Sequence, residues 1–268
     1  MMKTTLFSMT VLACLLFTTF AAGAYDLQLN GVYYTINAND GTATVVSEGS
    51  GIQYTGDVSI PATVSHNGKN YDVAAIDYAA FSGCGQLNSI TLGSKLKSLD
   101  DYAFSNCKSL KSVTIPNSVE SMGHDVFNGC TNLTSVTLGT GLKALPYNAF
   151  SAAPIAQLEI PGNVETIGSS AFDGCTHLKS LVLNEGILYI NGSAFKGCSA
   201  LTSLTIPNTV KEIGSSSFSG CTDLETLTLG SKLNLLGDYA FYNCKSLKVI
   251  TSCNATAPKM GGDNCFSV

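Results

Sequence analysis

The chain has 268 residues, of which only 12% are charged, and its formal net charge is −5. It contains 14 lysines but no arginine and no tryptophan. Basic residues neither dominate nor cluster with aromatics, which argues against nucleic acid as a partner, and the low charge suits an exported protein with a quiet surface.

At the N-terminus, Lys3 precedes an apolar run from Leu6 to Phe20, and Ala22-Gly23-Ala24 offers a small-residue cleavage site before Tyr25. Residues 1–24 therefore read as a secretory signal peptide cleaved after Ala24. Val11-Leu12-Ala13-Cys14 faintly resembles a lipoprotein cleavage box, but the apolar run continues past Cys14 and Leu12 is bulky for that slot. No later segment approaches the roughly 20 apolar residues of a membrane span. The mature protein is expected to be secreted or displayed at the cell surface.

Residues 25–57 read as an N-terminal β cap. Val32-Tyr33-Tyr34-Thr35-Ile36 and Ala43-Thr44-Val45-Val46 flank Asn39-Asp40-Gly41, a hairpin signal. Ile60-Pro61-x-x-Val64 then opens a repeat, which a second small hairpin around His66-Asn67-Gly68 interrupts before it resumes at Val73-x-x-Ile76. Capping of this kind would protect the exposed end of a repeat stack.

The rest of the chain is periodic. Phe81, Phe104, Phe127, Phe150, Phe172, Phe195, Phe218 and Phe241 follow one another at steps of 23 residues, with one step of 22. A fixed period in this range means that one supersecondary unit is stacked repeatedly. One unit runs Phe104-x-x-Cys107-x-x-Leu110-x-x-Val113-x-Ile115-Pro116-x-x-Val119-x-x-Met122-Gly123-x-x-Val126-Phe127. The stretch Leu110 to Ile115 alternates as a short strand with one buried face should, and Pro116 stops it. The segment Asp101 to Cys107 is too short for a full helix and reads as a tight or helical turn. No unit closes a core alone, so stacked copies must share one, with strands pairing in parallel about 4.8 Å apart. The solenoid is placed at residues 58–252, and residues 253–268 form a partial terminal repeat that restarts at Phe266 without an obvious polar cap.

The motif L-x-x-[IVL]-x-[IL]-[PG]-x-x-[VL]-x-x-[ILM]-[GD]-x-x-[AV]-F-x-x-C, recurring from about Ile76 to Ile250, resembles the BspA-like, or treponemal-type, leucine-rich repeats. The resemblance implies a β-rich leucine-rich repeat solenoid. It also implies a role in adhesion or protein interaction, because members of that family act at microbial surfaces and contact host matrix proteins or other cells. One unit departs from the pattern: Phe150-Ser151-Ala152-Ala153-Pro154-Ile155 lacks one residue and its cysteine, so a small irregularity in the stack is expected there.

Ten cysteines in an exported chain would ordinarily suggest disulfides. Here Cys84, Cys107, Cys130, Cys175, Cys198, Cys221 and Cys244 share one repeat position. They should form a buried column of free thiols with aligned Cβ atoms, one strand spacing apart, which is too far for a bridge. Ala153 fills the same slot, as a small packing position allows. Cys265, just before Phe266, also reads as packing, and a Cys253–Cys265 bridge stays open. Phe104, Phe127, Phe195 and Phe218, with Cys107, Cys130, Cys198 and Cys221, are expected to be structural core.

No catalytic, cofactor-binding or metal-ligating set emerges. No C-x-x-C or C-x-x-H pair exists, and neither a phosphate loop nor a nucleophile elbow appears. His66, His124 and His177 are scattered in turn or strand-edge contexts. Asp100 and Asp101 adjoin in sequence, and nothing suggests that they face a cleft.

Binding is left to surfaces. In each strand the intervening positions face solvent and stack into columns. One column runs Thr91, Thr114, Thr137, Glu159, Val182, Thr205, Thr228 and Thr251, and a more varied one includes Lys111 and Lys179. Threonine ladders also suit exposed strands for structural reasons alone, and the face lacks the tryptophan and arginine that usually anchor hot spots. Lys95, Lys97, Lys108 and Lys111 form a local basic patch in the sequence. Three roles follow. The first is adhesion or protein interaction with an extracellular partner. The second is carbohydrate binding or nutrient capture. The third is a non-binding spacer. A monomer is expected. An aromatic or acidic cluster on one face would favour a ligand site.

Overall fold

A computed structural model describes residues 25–47 and 53–267. Residues 1–24, read from the sequence as a signal peptide, and Cys14 within them lie outside the described residues. The chain winds as a β-solenoid of parallel ladders, and no helix occurs among the described residues.

The N-terminal segment forms an antiparallel meander of β1 (Leu27–Leu29), β2 (Val32–Asn37) and β3 (Thr42–Val46), joined through the turn at Asn39-Asp40-Gly41. Next come β4 (Gly56–Ser59), β5 (Thr63–His66) and β6 (Lys69–Ile76), with β5 and β6 forming the second hairpin at Asn67-Gly68. Pairing turns parallel where β3 meets β6 and β4 meets β7 (Leu87–Thr91). From there each turn of the solenoid contributes one face strand, such as Ser112–Thr114 or Ser135–Thr137, and one two-residue strand, such as Ser121–Met122. Equivalent residues pair in register: Val113 with Val136, Leu158 with Leu181, Leu204 with Leu227, and Leu227 with Ile250.

The phenylalanines run through the centre. Phe81 to Phe241 are at most 1% exposed, and their successive rings lie 4.9–5.3 Å apart with interplanar angles of 13° or less. Tyr54 extends the column at one end, with its ring 4.4 Å from Phe81, and Phe266 extends it at the other, 5.4 Å from Phe241. The motif did not reveal Tyr54, which is a different residue type and out of period.

The segments around each phenylalanine are turns, yet they form a third ladder. Alternate amides donate to the next unit: Tyr102 N–H to the His124 carbonyl at 2.9 Å, Phe104 N–H to Val126 at 2.9 Å and Asn106 N–H to Asn128 at 2.8 Å. The amides between them close local turns, as Ala103 N–H does on Asp100 and Ser105 N–H on Tyr102. This alternation places the residue two before each phenylalanine in the left-handed region. Ala79, Tyr102, Asp125, Asn148, Ser170, Ser193, Ser216 and Tyr239 all have φ between 51° and 59°. Such residues carry a conformational cost, here offset by a hydrogen bond to the neighbouring unit.

The cysteines line the core beside this ladder and are free thiols. From Cys107 to Cys244 each repeat cysteine does more than fill space, because its Sγ donates to the carbonyl of the preceding unit's phenylalanine. The distances are 3.1 Å for Cys107 to Phe81, 3.2 Å for Cys130 to Phe104 and 3.3 Å for Cys175 to Phe150. Cys265 is likewise a buried free thiol, whereas Cys253 is an exposed one.

The short unit is absorbed locally. Ala153-Pro154-Ile155 replaces the Cys-x-x-Leu turn, and the phenylalanine column crosses it undisturbed at 5.2 and 5.3 Å. The irregularity appears at the joint to the preceding unit, where Ala156 N–H reaches the Thr134 carbonyl at 3.4 Å. The equivalent bond on the far side, from Lys179 to Ala156, is 2.9 Å.

Candidate functional site

Among the described residues, no group of three or more His, Cys, Asp or Glu side chains is placed to hold a metal ion. No helix among the described residues is long and apolar enough to cross a membrane. What the fold offers is exposed surface of two chemically distinct kinds.

The first is the face of the strand ladder. Thr91, Thr114, Thr137, Glu159 and Thr205 are exposed, as are Lys111 and Lys179, while Thr228 is half-buried. Parallel in-register pairing sets hydroxyls side by side within groups of neighbouring repeats, Thr114 beside Thr137 and Thr205 beside Thr228. Glu159 accepts a hydrogen bond from Asn184 Nδ2 at 2.9 Å. Val182, 47% exposed, is the large apolar side chain within it. Two of the four lysines of the basic patch read from the sequence are held in ion pairs. Lys95 pairs with Asp72 at 2.5 Å and Lys97 with Glu120 at 2.6 Å, each linking adjacent turns of the solenoid.

The second is the turn ladder's outer edge. Here the repeat positions two and three before phenylalanine carry Tyr78, Tyr102, His124 and Tyr147, all exposed. Tyr78 and Tyr102 meet edge to face with centroids 5.7 Å apart, and His124 and Tyr147 do so at 6.2 Å. The same segments bear Asp77, Asp100, Asp101 and Asp125 and no lysine. Asp101 Oδ1 accepts the His124 N–H at 2.6 Å, and Asp125 Oδ1 accepts Nδ2–H bonds from Asn128 at 2.9 Å and Asn148 at 3.1 Å. These two carboxylates therefore brace the ridge. The negative charge of Asp125, foremost, raises the Tyr102 phenol pKa. Beside the ridge lies a shallow cleft of about 470 Å³, rimmed by Asp77 and Asp100, in which Ala75 and Met122 are half-buried while Ile76 and Leu99 turn into the core.

The sequence reading did not pick out this ridge. Tyrosine and aspartate occur at these positions in some units only, so a search for repeated residues passes over them. The signal that could have found them was the departure from the repeat: later units place Ser169, Gly192 and Ser215 where Tyr78, His124 and Tyr147 stand.

The core thiols are chemically quiet. Burial pushes Cys175 up to about 12 and Cys244 up to about 11, and it also raises Cys198 and Cys221. A thiol so shifted carries negligible thiolate at neutral pH and is neither nucleophile nor ligand.

No curated protein matches the chain. A leucine-rich repeat protein from Bacteroides ovatus is 29% identical, with a TM-score of 0.59 over 85% of this chain and 72% of its own. The pneumococcal vaccine antigen PcpA is 22% identical, with a TM-score of 0.55 over 84% of this chain and 69% of its own, and at that identity it speaks to the fold alone. Six copies of the BspA type leucine-rich repeat match across residues 69–179 and 143–267. With most of its length covered in this way, the chain belongs to the BspA type leucine-rich repeat family.

Proposed function

We propose that the chain is an exported cell-surface protein that binds other proteins, mediating adhesion to host or neighbouring cells, and that it is a binding protein rather than an enzyme. In this reading residues 1–24 direct export, residues 25–57 cap the stack, residues 58–252 carry the binding faces and residues 253–268 form the partial last repeat. The observation that carries it is the strand face, where each repeat turns the same strand positions to solvent, paired in register within groups of two or three neighbouring repeats. Such a surface suits an extended partner held by many polar contacts, each weak and multiplied by repetition. The family's typical role in protein interaction supports it. Thr91, Thr114, Thr137, Glu159, Thr205, Thr228, Lys111 and Lys179 are the candidate contacts on that side.

Beads coated with the purified chain should adhere to surfaces bearing extracellular-matrix proteins. Retention only on polysaccharide would replace this reading with carbohydrate capture. Adherence to nothing would make the solenoid a spacer. Cell fractionation with N-terminal sequencing checks export, with Tyr25 as the expected first residue.

A further inference from the structure

Within the repeats, the exposed large aromatics are confined to the turn edge. Tyr78, Tyr102 and Tyr147 are 60%, 38% and 47% exposed, whereas the strand face presents mainly threonine and serine, with some lysine, glutamate and aliphatic residues and no aromatic ring. Tyrosine is an effective interface anchor, because it offers a large rigid amphipathic ring with few torsions to immobilise. An exposed row of such rings is therefore a docking surface in search of a partner.

The neighbouring charges say which partner. Asp77 and Asp100 stand beside Tyr78 and Tyr102 and rim the cleft, whose apolar surface is offered by the half-buried Ala75 and Met122. That combination matches a lysine or arginine side chain, whose alkyl stem lies on apolar surface while its charged head meets a carboxylate. Tyrosine faces attract the same cations. The rings also meet edge to face, 71° apart for Tyr78 and Tyr102, so they form projecting knobs rather than the flat shared platform that would suit a stacked sugar.

From this we infer that the edge formed by Tyr78, Tyr102 and Tyr147, with Asp77 and Asp100, is a docking site for a basic, extended segment of a protein partner. The inference rests on the protein-binding reading above and names the surface and the charge of what it binds.

The test measures binding of the full chain to an immobilised lysine-rich peptide, beside a glutamate-rich peptide of equal length and a neutral polysaccharide, at about 0.15 M salt. The lysine-rich peptide should bind. The variant Tyr78→Ala/Tyr102→Ala, which changes no charge, should weaken binding by about tenfold or more, as should Asp77→Asn/Asp100→Asn. Because Tyr102 occupies a left-handed position, the single variant Tyr78→Ala and a thermal melt of each protein separate lost contact from lost folding. Binding retained in the tyrosine variants would mean general attraction to a net negative chain and would overturn the site. So would equal binding of the acidic peptide, or a preference for the polysaccharide. A matrix protein that binds the native chain and the tyrosine variants alike would also overturn the site while leaving the protein-binding reading standing.

Discussion

Phe127 lies between Phe104 and Phe150 with ring separations of 5.2 Å on both sides and no exposed surface. Truncating a buried aromatic removes its transfer free energy and leaves a cavity. Phe127→Ala should therefore cost about 3–5 kcal/mol in denaturant unfolding, while Thr137→Ala, on the exposed column, should stay within about 0.5 kcal/mol. The cysteines give a second prediction at this scale. Burial raises Cys175 from 9.0 to about 12, so above pH 9 the unfolded chain loses this proton while the folded chain keeps it. The stabilisation is complete below that pH and declines as pH rises towards 12. The urea midpoint of the parent should fall between about pH 8 and pH 11, and Cys175→Ala should flatten part of that fall. An identical pH slope in the variant would refute the assignment. These inward residues were legible because repetition exposes whatever must be the same in every unit. The thiol-to-carbonyl bond was not, since a small apolar filler at that slot has the same period. The tyrosines escaped for the opposite reason, as their value lies in not repeating.

At the scale of elements, the strand faces were legible from alternation, but the third ladder was not. Its residues have no shared side-chain signature: alanine, tyrosine, aspartate, asparagine and serine all occupy the left-handed position two before phenylalanine. What holds them there is backbone bonding between units, which periodicity of side chains does not report. Close backbone approach matters most between Gly162 and Gly186. Gly186 has φ +118°, and a Cβ placed on it would lie 1.9 Å from the Gly162 carbonyl oxygen. Gly186→Ala should therefore destabilise by about 1 kcal/mol or more, readable as a lowered melting temperature, whereas Gly174→Ala meets no atom nearer than 3.8 Å and should pay for backbone conformation alone. Equal melts for the two variants would show that the contact between turns relaxes freely. The one-residue deletion near Ala153 was visible in the sequence, and it shows as a lengthened bond at Ala156, while the aromatic column crosses it intact because the lost residue comes from a turn.

Across the whole molecule, the residues that build the core and those proposed for binding are different. The inward column runs from Tyr54 to Phe266, and the outward surfaces share none of it. The two ends differ. The N-terminal meander covers the first repeats, whereas the last face strand leaves Val249 and Ile250 52% and 47% exposed, although Leu227, which pairs with Ile250, is 1% exposed. Because binding is assigned to exposed side chains outside the buried column, it should be removable without loss of folding. Surface plasmon resonance of the native chain against extracellular-matrix proteins, mucin and polysaccharides tests this directly, with Thr114→Lys/Thr137→Lys and Tyr78→Ala/Tyr102→Ala run in parallel. We expect a protein of the panel to bind the native chain and to be weakened by one of the two variants, both of which melt within a few degrees of the parent. Silence across the panel, binding to polysaccharide alone, or protein binding that survives both variants would contradict it.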